Sequence, residues 1–279
     1  MTGHFRSALL LAATLAAWLP AAPCPAAEAT PGPLVSEVAG AGILALEDGT
    51  LLRLAGLALP GEEKIQDGWG DGQEDGQEDG PGDAPEDTAE GAAAQAARQA
   101  LAALVLGRRM MPLDPAAPVD RHGRITVQLR REDGLWIQDA LLRAGHARVR
   151  TRPDERDRAA EMLAAEAEAR EGRRGIWADP RFRVRSAAAR PGPPERFHLV
   201  EGIVLAVGRV RDRIYLNFGT DWRTDFTAAI EARDLRAFRR AGLDAAGLAG
   251  RRVRLRGWLF ERAGPAMDLT HPEQVQILP

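Results

Sequence analysis

Cysteine is almost missing from this chain: of 279 residues only Cys24 is one, and it stands in an N-terminal stretch expected to be removed. Without that stretch the protein has no disulfide and no thiolate to hold zinc, so its fold must rest on buried apolar surface alone. Lysine and tyrosine occur once each, as Lys64 and Tyr215, and aromatic residues make up 5% of the chain. Histidine is sparse: His122, His146 and His198 show no metal-ligand spacing, and His271 reads as a turn residue, so no resident cofactor is expected. Neither charge sign dominates. The 37 basic and 40 acidic residues leave −3, which excludes a uniformly polybasic or polyacidic chain. No apolar run beyond the N-terminus is long enough to cross a bilayer.

What is present divides into blocks. Residues 1–29 combine Arg6, an apolar run from Ser7 to Leu19 and the A-x-A pattern Ala27-Glu28-Ala29, the design of a cleaved secretory signal. The expected location is therefore outside the cytoplasm, in the periplasm or the medium. Residues 62–90 hold twelve acids and one lysine, a net −11, so the rest of the chain carries +8. That composition predicts a solvated, disordered loop. Residues 183–196, with the run AAARPGPPE, read as a linker between a domain at 34–182 and another at 197–279.

The expected class is α+β. In the first block, Leu34–Val38, Ile43–Leu46 and Leu51–Leu57 read as strands. A helix is expected near Asp87–Leu106, on the stripe Ala97, Leu101, Leu104 and Val105. Ile125, Val127 and Leu129 alternate as a strand, followed by helices at Leu135–Arg143 and Asp154–Glu171. This order fits a small β-barrel carrying helices. The block 197–279 has short strand patterns and one helix near Asp234–Ala241, which fits a second, mostly β, OB-type barrel.

Four segments carry a family resemblance: Arg53-Leu54-Ala55-Gly56-Leu57, Asp120-Arg121-His122-Gly123-Arg124, Asp133-Gly134 with Leu141-Leu142-Arg143-Ala144-Gly145-His146-Ala147, and Gly175-Ile176-Trp177. Together, in this order, they resemble the thermonuclease (staphylococcal-nuclease-like) family. The resemblance implies an OB-type barrel with helices and a calcium-dependent phosphodiesterase, in which two aspartates and a carbonyl hold Ca²⁺ and a glutamate activates water. Two arginines then bind the phosphate. By the same resemblance, Arg53 and Arg124 fill the arginine places. The carboxylate places are empty. The family's D-G-D-T is Ala39-Gly40-Ala41-Gly42 here, and in its R-L-x-G-I-D-A-P-E stretch Ala58 replaces the aspartate and Gly61 the glutamate. Glu62 is the candidate substitute base.

The C-terminal block resembles small OB-type domains found with secreted nucleases, through Tyr215-Leu216-Asn217-Phe218-Gly219, Asp221-Trp222-Arg223 and Val253-Arg254-Leu255-Arg256-Gly257-Trp258. In such a barrel Tyr215 and Trp222 are candidates to stack bases and Arg223 to follow phosphates. The expected function is an exported, catalytically degenerate thermonuclease-fold protein that binds single-stranded nucleic acid or another polyanion. Two alternatives stand beside it. One is an active secreted nuclease, which would need Ca²⁺; the other is a structural or protein-interaction module of the cell envelope.

Overall fold

Period-two burial builds the first sheet. The computed structural model describes residues 32–61, 89–114, 119–120 and 122–279. The expected signal, and residues 62–88 of the acidic segment, lie outside the described residues. Strands β1 (Val35–Gly40), β2 (Ile43–Leu46) and β3 (Leu51–Leu54) form an antiparallel meander. Leu44, Leu46, Leu52 and Leu54 point inward, each at most 5% exposed. A two-residue strand, β4 (Leu57–Ala58), follows. Helix α1 (Ala89–Val105) lays Ala97, Leu101 and Val105 on the core, a four-residue spacing that keeps one face inward.

Strands β5 (Met110–Pro112), β6 (Ile125–Val127) and β7 (Leu129–Arg131) complete the barrel. β6 runs parallel to β3, and β7 pairs antiparallel with β5. β6 and β7 are two halves of one strand interrupted at Gln128. The ring closes where Leu34 bridges Arg109 and the Met110 N–H donates to the Pro33 carbonyl at 3.1 Å.

Helix α2 (Ile137–Ala144) ends at Gly145, which has φ 75°. β8 (Arg148–Val149) then pairs with β4, and α3 (Ala159–Glu171) follows. Gly145 and Gly175 lie back to back: a Cβ on either would sit 2.2 Å from a backbone oxygen, that of Arg174 or of Gly145 respectively. The Ile176 N–H donates to the Gly145 carbonyl at 2.9 Å across this contact. These two family motifs are thus the two sides of one close approach. The helix expected over Asp154–Glu171 is shorter, beginning at Ala159, because Arg158 takes a left-handed φ of 57° and the Glu155 N–H turns back to the Arg152 carbonyl.

Residues 183–196, read from the sequence as a linker, include β9 (Arg185–Ser186), which pairs parallel with β10 (Arg196–Ile203). The second barrel continues with β11 (Ala206–Val210), β12 (Arg213–Asn217), β13 (Thr227–Glu231), α4 (Leu235–Arg240), β14 (Arg252–Glu261), β15 (Pro265–Asp268) and β16 (Val275–Ile277). The sheet path is β11-β12-β13-β15-β14-β10. β10 and β11 are halves of one strand bent at Val204-Leu205, so the sheet closes on itself. A meander, a helix and a hairpin, with the third strand parallel to the last, is also the plan of the first barrel. The α+β expectation holds, with an OB-type barrel in the first block and a strand-rich second block.

The two barrels belong to one compact unit, Gly32–Pro279. Glu166 of α3 is fully enclosed and accepts two hydrogen bonds from Arg256 of β14, each at 3.0 Å. The Val149 N–H and Arg170 also donate to it. Burial opposes the charge on Glu166, but Arg256, these hydrogen bonds and Arg170 outweigh it and hold its carboxyl below the usual range. Nearby, Thr151 Oγ1 lies 2.8 Å from His271 Nε2. Among the described residues no helix is long and apolar enough to cross a membrane.

Candidate functional site

Arg53 stands on β3 opposite Thr126 of β6. Its Nε donates to Thr126 Oγ1 at 3.1 Å, and a terminal N–H donates to Glu155 Oε1. Arg53 and Glu155 are both buried, at 9% and 8% exposure. The guanidinium that the resemblance assigns to phosphate therefore already holds a carboxylate. Glu155 comes from the turn before α3. The sequence reading placed that stretch inside a helix and missed the residue. Its Oε2 is enclosed without a hydrogen-bond partner among the described residues.

Arg124 has its own partner. Its Nε donates to Asp120 Oδ2 at 2.7 Å, while the backbone N–H groups of His122 and Arg124 converge on Asp120 Oδ1. Burial opposes the charge of Asp120, but the bonds from Arg124 and His122 prevail and keep its carboxyl below the ordinary value. Arg124 stands one residue before β6, the strand whose Thr126 faces Arg53 across the pairing, and each arginine holds an internal acid.

The positions that the resemblance assigns to the metal ligands and base offer no side-chain oxygen. Ala39 is exposed near the end of β1, Ala41 packs against the core, and Ala58 is 1% exposed in β4. Gly61 lies beside Ala94, whose Cβ would be 3.2 Å from an added Cβ. Among the described residues no three His, Cys, Asp or Glu cluster to hold an ion. Ca²⁺ wants several oxygen ligands, and the residues at these positions do not fit it. Glu62 lies outside the described residues.

In the second barrel Trp222 is 55% exposed, with the Arg223 guanidinium 4.5 Å from its ring centre. Their loop is braced: the Asp221 N–H donates to Asp225 Oδ2 at 2.9 Å, and the Arg223 N–H to Asp221 Oδ1 at 3.0 Å. Tyr215 is half-buried in mid-strand, flanked by Gly208 and Ala229. Phe218 and Phe226 are core residues with ring centres 5.1 Å apart.

A closed five-stranded barrel with helices packed on it defines the first domain as an OB-type α+β unit. Residues 79–179 match the model of the staphylococcal nuclease homologue family. Three of the four motif segments lie inside the match. The Arg53 strand precedes it and is hydrogen-bonded into the same barrel through β6. The chain matches no curated protein.

Proposed function

We propose that the protein is an exported thermonuclease-fold module that binds nucleic acid or another phosphate-rich polyanion without hydrolysing it. The observation that carries this reading is the state of the arginine pair. Arg53 keeps Glu155 and Arg124 keeps Asp120, while Ala39, Ala41, Ala58 and Gly61 stand where the family places its metal ligands and base. A phosphodiesterase of this kind depends on the cation to offset charge in the transition state, and no such centre fits here. Binding is supported by the +8 carried outside the acidic segment and by exposed Trp222 with Arg223 stacked on it, a pairing suited to bases and phosphates. Export is supported by the signal-like pattern of residues 1–29.

The test is anisotropy of a labelled single-stranded oligonucleotide across a salt series, with the same sample incubated with Ca²⁺ and then run on a denaturing gel. Binding should weaken steeply with salt, and the strand should stay intact. Cleavage that EDTA stops would instead establish the active nuclease. No binding at about 50 mM salt would favour the protein-interaction module.

A further inference from the structure

We propose that the β12–β13 loop and the β14–β15 hairpin form a clamp for two unpaired bases of a single nucleic acid strand. The inference rests on the polyanion-binding reading above and narrows its partner to a strand with free bases. Two rings carry it, each with an arginine on its face. The Arg223 guanidinium lies 4.5 Å from the ring centre of Trp222, and that of Arg262 lies 4.7 Å from the ring centre of Phe260. Both pairs reach solvent: Trp222 is 55% exposed and the Arg262 side chain 54%.

The sheet brings the two pairs to one place. Leu259 of β14 and Met267 of β15 are core residues, so alternation turns their neighbours Phe260 and Ala266 to the outer face. Phe260 is half-buried there, opposite Ala266, and Ala266 stands opposite Thr227, the first residue of β13. The loop that carries Trp222 runs directly into Thr227. The two connections also touch. A Cβ on Gly264 would lie 3.1 Å from the Arg223 carbonyl oxygen and 3.2 Å from that of Asp225. Gly264 has φ 106°, so a glycine is what lets the hairpin close against the loop.

The charges narrow the ligand. Arg223 makes no ion pair among the described residues, and Arg262 makes a loose one, 3.7 Å from Asp268 Oδ2. The other acids nearby are engaged: Asp221 and Asp225 accept loop N–H groups, and Glu261 pairs with Arg190. Two arginines among four carboxylates make no strong positive field, so a bare phosphate chain gains little at this place. What the loops offer is two rings faced by guanidinium groups. Bases stack on aromatic rings and on guanidinium planes alike, and every base has such a face to give. In a duplex those faces are already stacked on one another.

The test is anisotropy of a labelled single-stranded oligonucleotide with the full chain, beside an abasic strand of the same length, the matching duplex and inorganic polyphosphate. Trp222→Ala and Arg262→Gln, both at exposed positions, are run in parallel, with circular dichroism to confirm folding. The single strand should bind about tenfold more tightly than the abasic strand or the duplex. Each variant should weaken the single strand about tenfold and leave polyphosphate unchanged. Stacking should also quench tryptophan fluorescence, and Trp222→Phe should reduce the quench while keeping the strand bound. The clamp is overturned if abasic and natural strands bind alike, or if folded variants bind the single strand as well as the parent chain. Polyphosphate reads the wider polyanion function separately: its binding can persist with the clamp disproved, and if no probe binds at about 1 mM both fall.

Discussion

Glu155 closes on Arg53 from 102 residues further along the chain, and both are buried where they meet. The pair makes Arg53 a structural cation that a ligand could use only by displacing an acid. Glu155→Gln tests this. It keeps the shape and removes the charge, leaving a buried guanidinium poorly matched, and breaking such pairs costs about 3–5 kcal/mol. The urea midpoint should fall accordingly. At low salt, oligonucleotide affinity should rise several-fold in the same variant, since Arg53 then lacks a competing carboxylate. Unchanged affinity in a folded variant would place Arg53 outside any polyanion contact.

The Glu166–Arg256 pair makes a second prediction. Glu166→Ala leaves Arg256 enclosed without its anion and should destabilise the whole Gly32–Pro279 unit by about 3–5 kcal/mol. The double change Glu166→Leu with Arg256→Met removes both charges and should recover much of the loss. Denaturant unfolding of the three variants checks this. A double variant no better than Glu166→Ala would mean that the hydrogen bonds, and not the lone charge, carry the cost.

Acid sensitivity should set in well above the carboxylate range. Burial, helped by neighbouring arginines, holds His198 and His271 at about 4 in the fold, against an ordinary 6.5. The unfolded chain therefore takes up protons first as pH falls. The contribution is whole above about 6.5 and is lost on the way down to 4, and a shift of this size amounts to about 3 kcal/mol per histidine over the full window. The urea midpoint should drop between pH 7 and 5, before ordinary carboxylates titrate. His271→Gln should shrink that drop even if it lowers the midpoint at pH 7. An equal drop in the variant would remove His271 from the account.

Two glycines separate strain from collision. Gly145→Ala faces both a left-handed φ of 75° and a Cβ 2.2 Å from the Arg174 oxygen. Gly123→Ala faces a similar φ of 74° but has nothing within 4 Å. The second should cost about 1–2 kcal/mol, the backbone term alone. The first should cost clearly more, as read from thermal midpoints. Equal costs would show that the 145–175 contact relaxes easily.

Much of the fold was legible because local rules governed it. Leu44, Leu52 and Leu54 alternate, Ala97, Leu101 and Val105 recur at helical spacing, and Gly145 ends a helix where its motif says so. The family resemblance drew attention to Arg53 and Arg124, and the structure gives each of them an acid partner. What was not legible depends on partners distant in sequence. Glu155 sits in a stretch that reads as helix, and only its tertiary meeting with Arg53 gives it meaning. Glu166 looks like one acid among several on an alanine-rich helix until Arg256 reaches it from the other barrel. The pairing of β9 was hidden for a similar reason: Arg185 and Ser186 adjoin a Pro- and Gly-rich run whose composition argues for a tether, and nothing in the order of residues announces that they will join a sheet.

That short parallel pairing bears on avidity. Two sites joined by a flexible tether meet a common ligand at an effective concentration that falls smoothly with tether length. Here Arg185 and Ser186 are stitched to Val200 and Glu201, so the span between the barrels is set by sheet geometry. Under the proposed function a polyanion would then act as a measuring rod: strands shorter than the span would engage one barrel, and longer ones both. An oligonucleotide length series should show affinity rising in a step at one threshold, and a gradual climb would mean that the barrels bind independently.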